Sequence, residues 1–161
     1  MSLSKEALAP ALGRIVSGVY IATVSNEDKP DGMMASWVGQ AAFDPPALMM
    51  SVNNTRDFKK YLSVGQRFSI NILSKSNMDI FKNFAKPYNE QKFDGIKLES
   101  GRVGQAPVFS DCVGYLDLVV KSSADAGDHT VYVGEIVGVL CSMKKQSQWC
   151  IFARTAFNIR H

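Results

Sequence analysis

The chain is poor in the residues from which metal centres and disulfide frameworks are made. Of its 161 residues only Cys112, Cys141 and Cys150 are cysteines, with no CxxC spacing, and only His129 and His161 are histidines. An odd, scattered set of thiols does not suit a disulfide framework, and two histidines cannot complete the usual zinc spacings, so no metal site is expected. Long apolar runs are also missing. The first six residues lack the apolar core of a signal peptide, and no stretch approaches the roughly 20 apolar residues of a membrane span, so a reducing cytoplasmic setting without membrane attachment is expected. The net charge of +3 comes from cations interspersed with acids and makes no basic arm, which argues against nucleic acid and suits attraction of small anions. Neither GxGxxG nor GxxxxGK[ST] occurs, which removes the usual phosphate-cradling loops, and no internal repeat or low-complexity linker is present.

With 46% hydrophobic and 20% charged residues the composition can bury a core, and the length suits one domain over residues 1–161. Leu8, Leu12, Ile15 and Val16 at helical spacing behind Ser4 predict an amphipathic opening helix. Residues 19–24 read as a strand, residues 26–32 as a tight connection, residues 32–43 as one long strand interrupted at Asp44-Pro45-Pro46, and residues 47–52 as the next, in an antiparallel meander. Thr55 is placed to cap a short helix carrying Phe58, Tyr61 and Leu62, followed by a strand over 67–73 and a second short helix through Met78, Ile80, Phe81 and Phe84 that closes at Lys86-Pro87. A polar surface loop is expected from there to Pro107. Residues 113–120 and 130–140 read as strands joined by residues 122–128, the second containing Gly134 and Gly138, which suit barrel bends or close backbone approach. Some six β segments with short helices and no repeated βαβ unit predict a mainly β, antiparallel barrel.

Three segments could carry chemistry. In residues 32–40 small and polar residues interrupt an apolar strand, so that Ala35, Ser36 and Gln40 could serve a flavin ring that needs main-chain groups and close approach; the alternative is an ordinary strand with Ser36 and Gln40 in water and Trp37 in the core. In residues 51–57 a strand leads into a helix start where Asn53, Thr55 and Arg56 add donors for a phosphate, or where Thr55 is simply a cap and Arg56 a solvated cation. In Gly127-Asp128-His129 a histidine beside a carboxylate could hold a carboxamide or protonate a reduced species, or be a half-exposed residue after a turn.

Taken in order, Gly18-Val19-Tyr20, Gly32-Met33-Met34-Ala35-Ser36-Trp37-Val38, Phe43-Asp44-Pro45-Pro46, Asn71-Ile72-Leu73 and Gly127-Asp128-His129 resemble the flavin reductase-like, FMN-binding split-barrel family, and especially the flavin reductase domain that cyanobacterial flavodiiron proteins carry. The resemblance spans nearly the whole chain. It implies a Greek-key-like split barrel with short peripheral helices, a homodimer, and FMN rather than FAD in a groove touched by Met34, Ala35, Ser36, Trp37 and Val38. Ser51, Val52, Asn53, Asn54 and Thr55 would continue along ribityl and phosphate, with Lys92 and Phe93 reaching the site. His129 would help receive NADH or NADPH, whose hydride passes to flavin N5. The chain departs from the family pattern at Ala42, where many members carry serine, and at residues 154–160, which lack the usual final tyrosine. Two other roles are compatible with the sequence: an FMN-holding electron carrier served by a redox protein partner, and a flavin-free binding module.

Overall fold

The computed structural model describes residues 4–26, 29–86, 91–100, 102, 105–141 and 150–152. The opening helix α1, Lys5–Leu12, starts where expected because the Ser4 hydroxyl accepts the Ala7 N–H at 3.3 Å. It stops four residues early: Val16 opens the short strand β1, Val16–Gly18, which pairs antiparallel with β9, Cys150–Phe152. The apolar spacing that suggested a longer helix belongs to two different elements.

Seven further strands form one antiparallel sheet: β2 Tyr20–Asn26, β3 Lys29–Ala35, β4 Val38–Phe43, β5 Pro46–Asn53, β6 Arg67–Ile72, β7 Gly114–Ala126 and β8 His129–Cys141. Their spatial order is β3-β2-β6-β7-β8-β5-β4. The strands at the two ends of that order are consecutive in the chain, with only Ser36 and Trp37 between them. A flat sheet would hold its edges six strand spacings apart, roughly 28 Å at about 4.7 Å each, and the three Cα steps from Ala35 to Val38 reach only about 11 Å. The sheet therefore curls until its edges approach, and the Trp37 carbonyl accepts the Ser51 N–H at 2.9 Å, which extends the β4–β5 ladder back into the crossover. The long strand expected over 32–43 is thus two strands on opposite edges, and the simple meander is corrected with it.

Other boundaries also move. Asn26 pairs with Lys29, so β3 includes Lys29, Pro30 and Asp31, and the connection shrinks to residues 27 and 28, outside the described residues. Ser122, Ser123, Ala124, Asp125 and Ala126 belong to β7, leaving Gly127-Asp128 as the turn, with Gly127 at φ 77° where a side chain would be strained. Gly134 permits close packing: a Cβ there would lie 3.0 Å from the Leu118 and Phe68 side chains, which would have to give way by a few tenths of an ångström.

Alternation along the strands produces two cores. Ala22, Met50, Phe68, Leu118 and Tyr132 point into the barrel, while Ile21, Leu73 and their neighbours pack outward beneath helix α2, Met78–Ala85, and the segment after it. That segment is only partly surface loop, because Phe93, Ile96, Leu98 and Phe109 pack into the outer core. Asn71 is wholly buried between the layers: its Nδ2 donates to the Ile21 carbonyl and the Thr23 hydroxyl, both at 3.2 Å, and its Oδ1 accepts the Phe109 N–H at 3.0 Å. Asn71→Leu keeps the branched shape but strands the Phe109 N–H, and is expected to cost about 2–3 kcal/mol in urea unfolding. A loss below about 0.5 kcal/mol, the range of neutral surface changes, would show that the bond does not hold the layer.

Candidate functional site

Thr55 does not cap a helix. Its N–H and hydroxyl both donate to Asn53 Oδ1, at 2.9 and 2.7 Å, in a side-chain turn that ends β5. The chain then enters a five-residue 3-10 turn, Asp57–Tyr61, with Arg56 at its cap position and no side-chain cap bond. So short an element has little dipole, and attraction of an anion here rests on side chains rather than on a helix terminus.

Those side chains open onto a cleft of about 200 Å³ between β3, the 3-10 turn and the end of α2. Gly32, Met34, Thr55, Arg56 and Lys92 line it, with Asp31, Asn83 and Lys86 among the residues that the sequence did not mark as site residues. The three cations are not equivalent. Lys92 Nζ is bound to Asp31 Oδ1 and to the Gly32 carbonyl, both at 2.7 Å, and its side chain is 12% exposed, so its charge is largely neutralised in place. Arg56 and Lys86 are exposed and have no side-chain partner among the described residues, which leaves them to face an anion. Phe93 lies beneath the cleft, its ring edge-on to Phe84 at 5.1 Å and 87°.

A second group of predicted residues gathers at the β3–β4 crossover. Trp37 is half exposed rather than in the core, and its ring lies 4.7 Å from that of His129 with 34° between their planes. His129 is the residue opposite Asn53 across β5 and β8, and its Nδ1 sits 2.7 Å from Asp128 Oδ1. That hydrogen bond, and then the charge of the imidazole, holds the exposed Asp128 carboxyl below the usual carboxylate range. As an acceptor at 2.7 Å, the Asp128 carboxylate favours the Nδ1–H form of the ring. Ala35 is buried, Ser36 and Gln40 are exposed, Val38 is half-buried, and no hydrogen bond among the described residues engages the N–H groups of Ser36 and Trp37. Two adjacent free donors beside a small buried residue fit the polar edge of a planar ring. Val52 is wholly buried in the barrel, so only its main chain can contribute, whereas Ser51 and Asn53 point to the outer face. Among the described residues no group of three or more His, Cys, Asp or Glu could hold a metal, and no helix is long and apolar enough to cross a membrane.

The family model described as "Flavin reductase like domain" matches residues 12–159. The chain belongs to that family. Among relatives of this flavin reductase-like domain, "Diflavin flavoprotein A 1" of Synechocystis is 35% identical over 132 residues, 80% of this chain and 23% of the relative. "Probable flavin reductase" of Rhizobium meliloti is 33% identical over 133 residues, 81% of this chain and 42% of the relative. The domain thus spans about a quarter of the length of the diflavin flavoproteins it matches. Its split-barrel fold recurs in the NADH:FAD oxidoreductase of Streptomyces globisporus solved with NAD and FAD fragments, with a TM-score of 0.82, 19% identity, and 96% and 94% of the two chains covered.

Proposed function

We propose that this flavin reductase-like domain is an NAD(P)H-dependent reductase of FMN, working as a cytoplasmic homodimer. The observation that carries the reading is the Trp37–His129 contact at the crossover, to which Arg56 and Lys86 add an anion-facing cleft that neither ring lines. Bound FMN would supply the redox chemistry, taking at N5 the hydride of a reduced nicotinamide. The protein supplies position and charge. The Ser36 and Trp37 N–H groups donate to the pyrimidine edge of the ring, where they favour negative charge developing on reduction, and Met34, Ala35, Val38 and Gln40 line its approach. Ser51, Asn53 and Thr55 face the ribityl chain, Arg56 and Lys86 hold the phosphate, and Lys92 with Phe93 fixes the wall behind it. His129 orients the nicotinamide and can donate or accept a proton through a ring nitrogen.

FMN is favoured over FAD by size. A cleft of about 200 Å³ is smaller than the roughly 300 Å³ at which ligand pockets usually begin, so it suits a ribityl phosphate better than a larger dinucleotide. The ring then lies outside the cleft, along an open surface. Trp37, Phe43, Met49 and Val137 are 50%, 87%, 47% and 46% exposed there and on the neighbouring strands, an apolar face that a second copy would cover.

The test is anaerobic titration of the purified protein with FMN and with FAD, then with NADH and NADPH, alongside sedimentation of the loaded protein. Preference for FMN, bleaching of the oxidised-flavin band at catalytic protein levels and a dimer are expected. Tight FMN binding without bleaching would replace the reading with an electron carrier fed by a redox protein, and refusal of both flavins would leave a flavin-free module.

A further inference from the structure

We infer that Asn54 is a positioning residue that sets the place of His129 through the Gly127-Asp128 turn, an inference that rests on the role of His129 proposed above. His129 begins β8 at the tip of a long hairpin whose β7 arm is exposed from Lys121 to Ala126, and the tips of such hairpins open locally at little cost. Asn54 closes that freedom. Its N–H donates to the Asp128 carbonyl at 2.9 Å and its Nδ2 to the Gly127 carbonyl at 2.8 Å, so one residue grips both carbonyls of the turn.

The amide is itself locked. Asn54 Oδ1 accepts from Lys59 Nζ at 2.6 Å and from the Thr130 hydroxyl at 2.8 Å, while the ammonium also reaches the Thr130 oxygen at 2.9 Å. An ammonium has no acceptor capacity, so the amide oxygen must face it and the amide nitrogen must face the turn. Lys59 stands on the 3-10 turn next to Phe58, which is buried in the barrel core. A continuous set of contacts therefore runs from the core through Lys59 and Asn54 to the turn, and ends at the imidazole against Trp37. Asp128, hydrogen-bonded to the ring, is fixed by its carbonyl in the same grip.

The experiment uses the full chain carrying Trp149→Phe, which leaves Trp37 as the sole tryptophan. A protonated imidazole in contact with indole quenches its emission, so the acid-induced loss of Trp37 fluorescence reports whether His129 is in place. Asn54→Ala is expected to remove most of that quenching and to raise the nicotinamide KM about tenfold. Asn54→Asp keeps the acceptor toward Lys59 and Thr130 but turns an oxygen toward the Gly127 carbonyl; it is expected to lose the quenching as well, and stands in if the alanine variant does not fold. The effects of Asn54→Ala and His129→Ala on KM should not add.

Full quenching in a folded Asn54 variant, or additive effects in the double variant, would overturn the inference. If His129→Ala leaves turnover unchanged, the proposed role of His129 fails, and the quenching amplitude still decides whether Asn54 places the ring.

Discussion

His129→Ala is expected to lower kcat/KM for nicotinamide-driven flavin reduction about 100-fold, with FMN affinity within about threefold of the parent. The imidazole is the one titratable ring at the crossover among the described residues, held on one side by Trp37 at 4.7 Å and on the other by Asp128 at 2.7 Å. Displacement of a reacting group by about 1 Å can cost about 100-fold, and loss of a proton donor costs a similar factor. The effect should therefore fall on the nicotinamide steps and spare flavin binding, because the phosphate-facing cations lie in the cleft that His129 does not line. Stopped-flow reduction with NADH and NADPH, with FMN binding measured separately by fluorescence, separates the two. A variant that keeps the parental rate takes His129 out of the mechanism.

Arg56→Glu is expected to weaken FMN about 100-fold at low ionic strength, equivalent to about 2.7 kcal/mol, while riboflavin, which lacks the phosphate, changes by less than about twofold. The reason is the distribution of charge in the cleft. Lys92 is already neutralised by Asp31, so reversing Arg56 leaves Lys86 alone against Asp57 and the new glutamate. Charge-assisted hydrogen bonds contribute about 1.5–3 kcal/mol each, and the added repulsion supplies the rest. Parental affinity should also fall as salt rises, since Arg56 is exposed and unscreened only at low ionic strength. Equal weakening of riboflavin and FMN would mean that Arg56 acts on the ring or the fold and not on the phosphate. Isothermal titration of both flavins makes the distinction.

Much of the fold was legible residue by residue. The strands β2, β5 and β6 carry alternating or continuous apolar runs bounded by turn residues, and α2 carries its apolar face at helical spacing, so local periodicity and local structure agree. The errors have specific causes. Residues 32–43 contain no breaker at Ser36-Trp37, so nothing local marks the point where the chain leaves one edge of the sheet for the other. Thr55 looked like a cap because caps and side-chain turns use the same residue types, and Asn53, two residues earlier, took its donors. The described residues of 91–110 lack periodicity because they form an irregular cover, in which Phe93 and Phe109 pack together in the outer core.

The same division runs through the candidate site. The order of short motifs places the chain in its family and points to the flavin class, and the residue types alone mark Arg56 and His129 as groups able to meet an anion and to move a proton. The expectation of no metal framework likewise rests on sequence alone, on the number and spacing of the cysteines and histidines. Tertiary structure alone decides that Lys92 is spent on Asp31 sixty-one positions away, that Lys86 and Asn83 from α2 and its end join the cleft, and that His129 lies on Trp37. The physical reason is range: turns, caps and periodicities are written in neighbouring residues, whereas charge pairing and ring contact depend on distances that exist only once the two edges of the sheet have met.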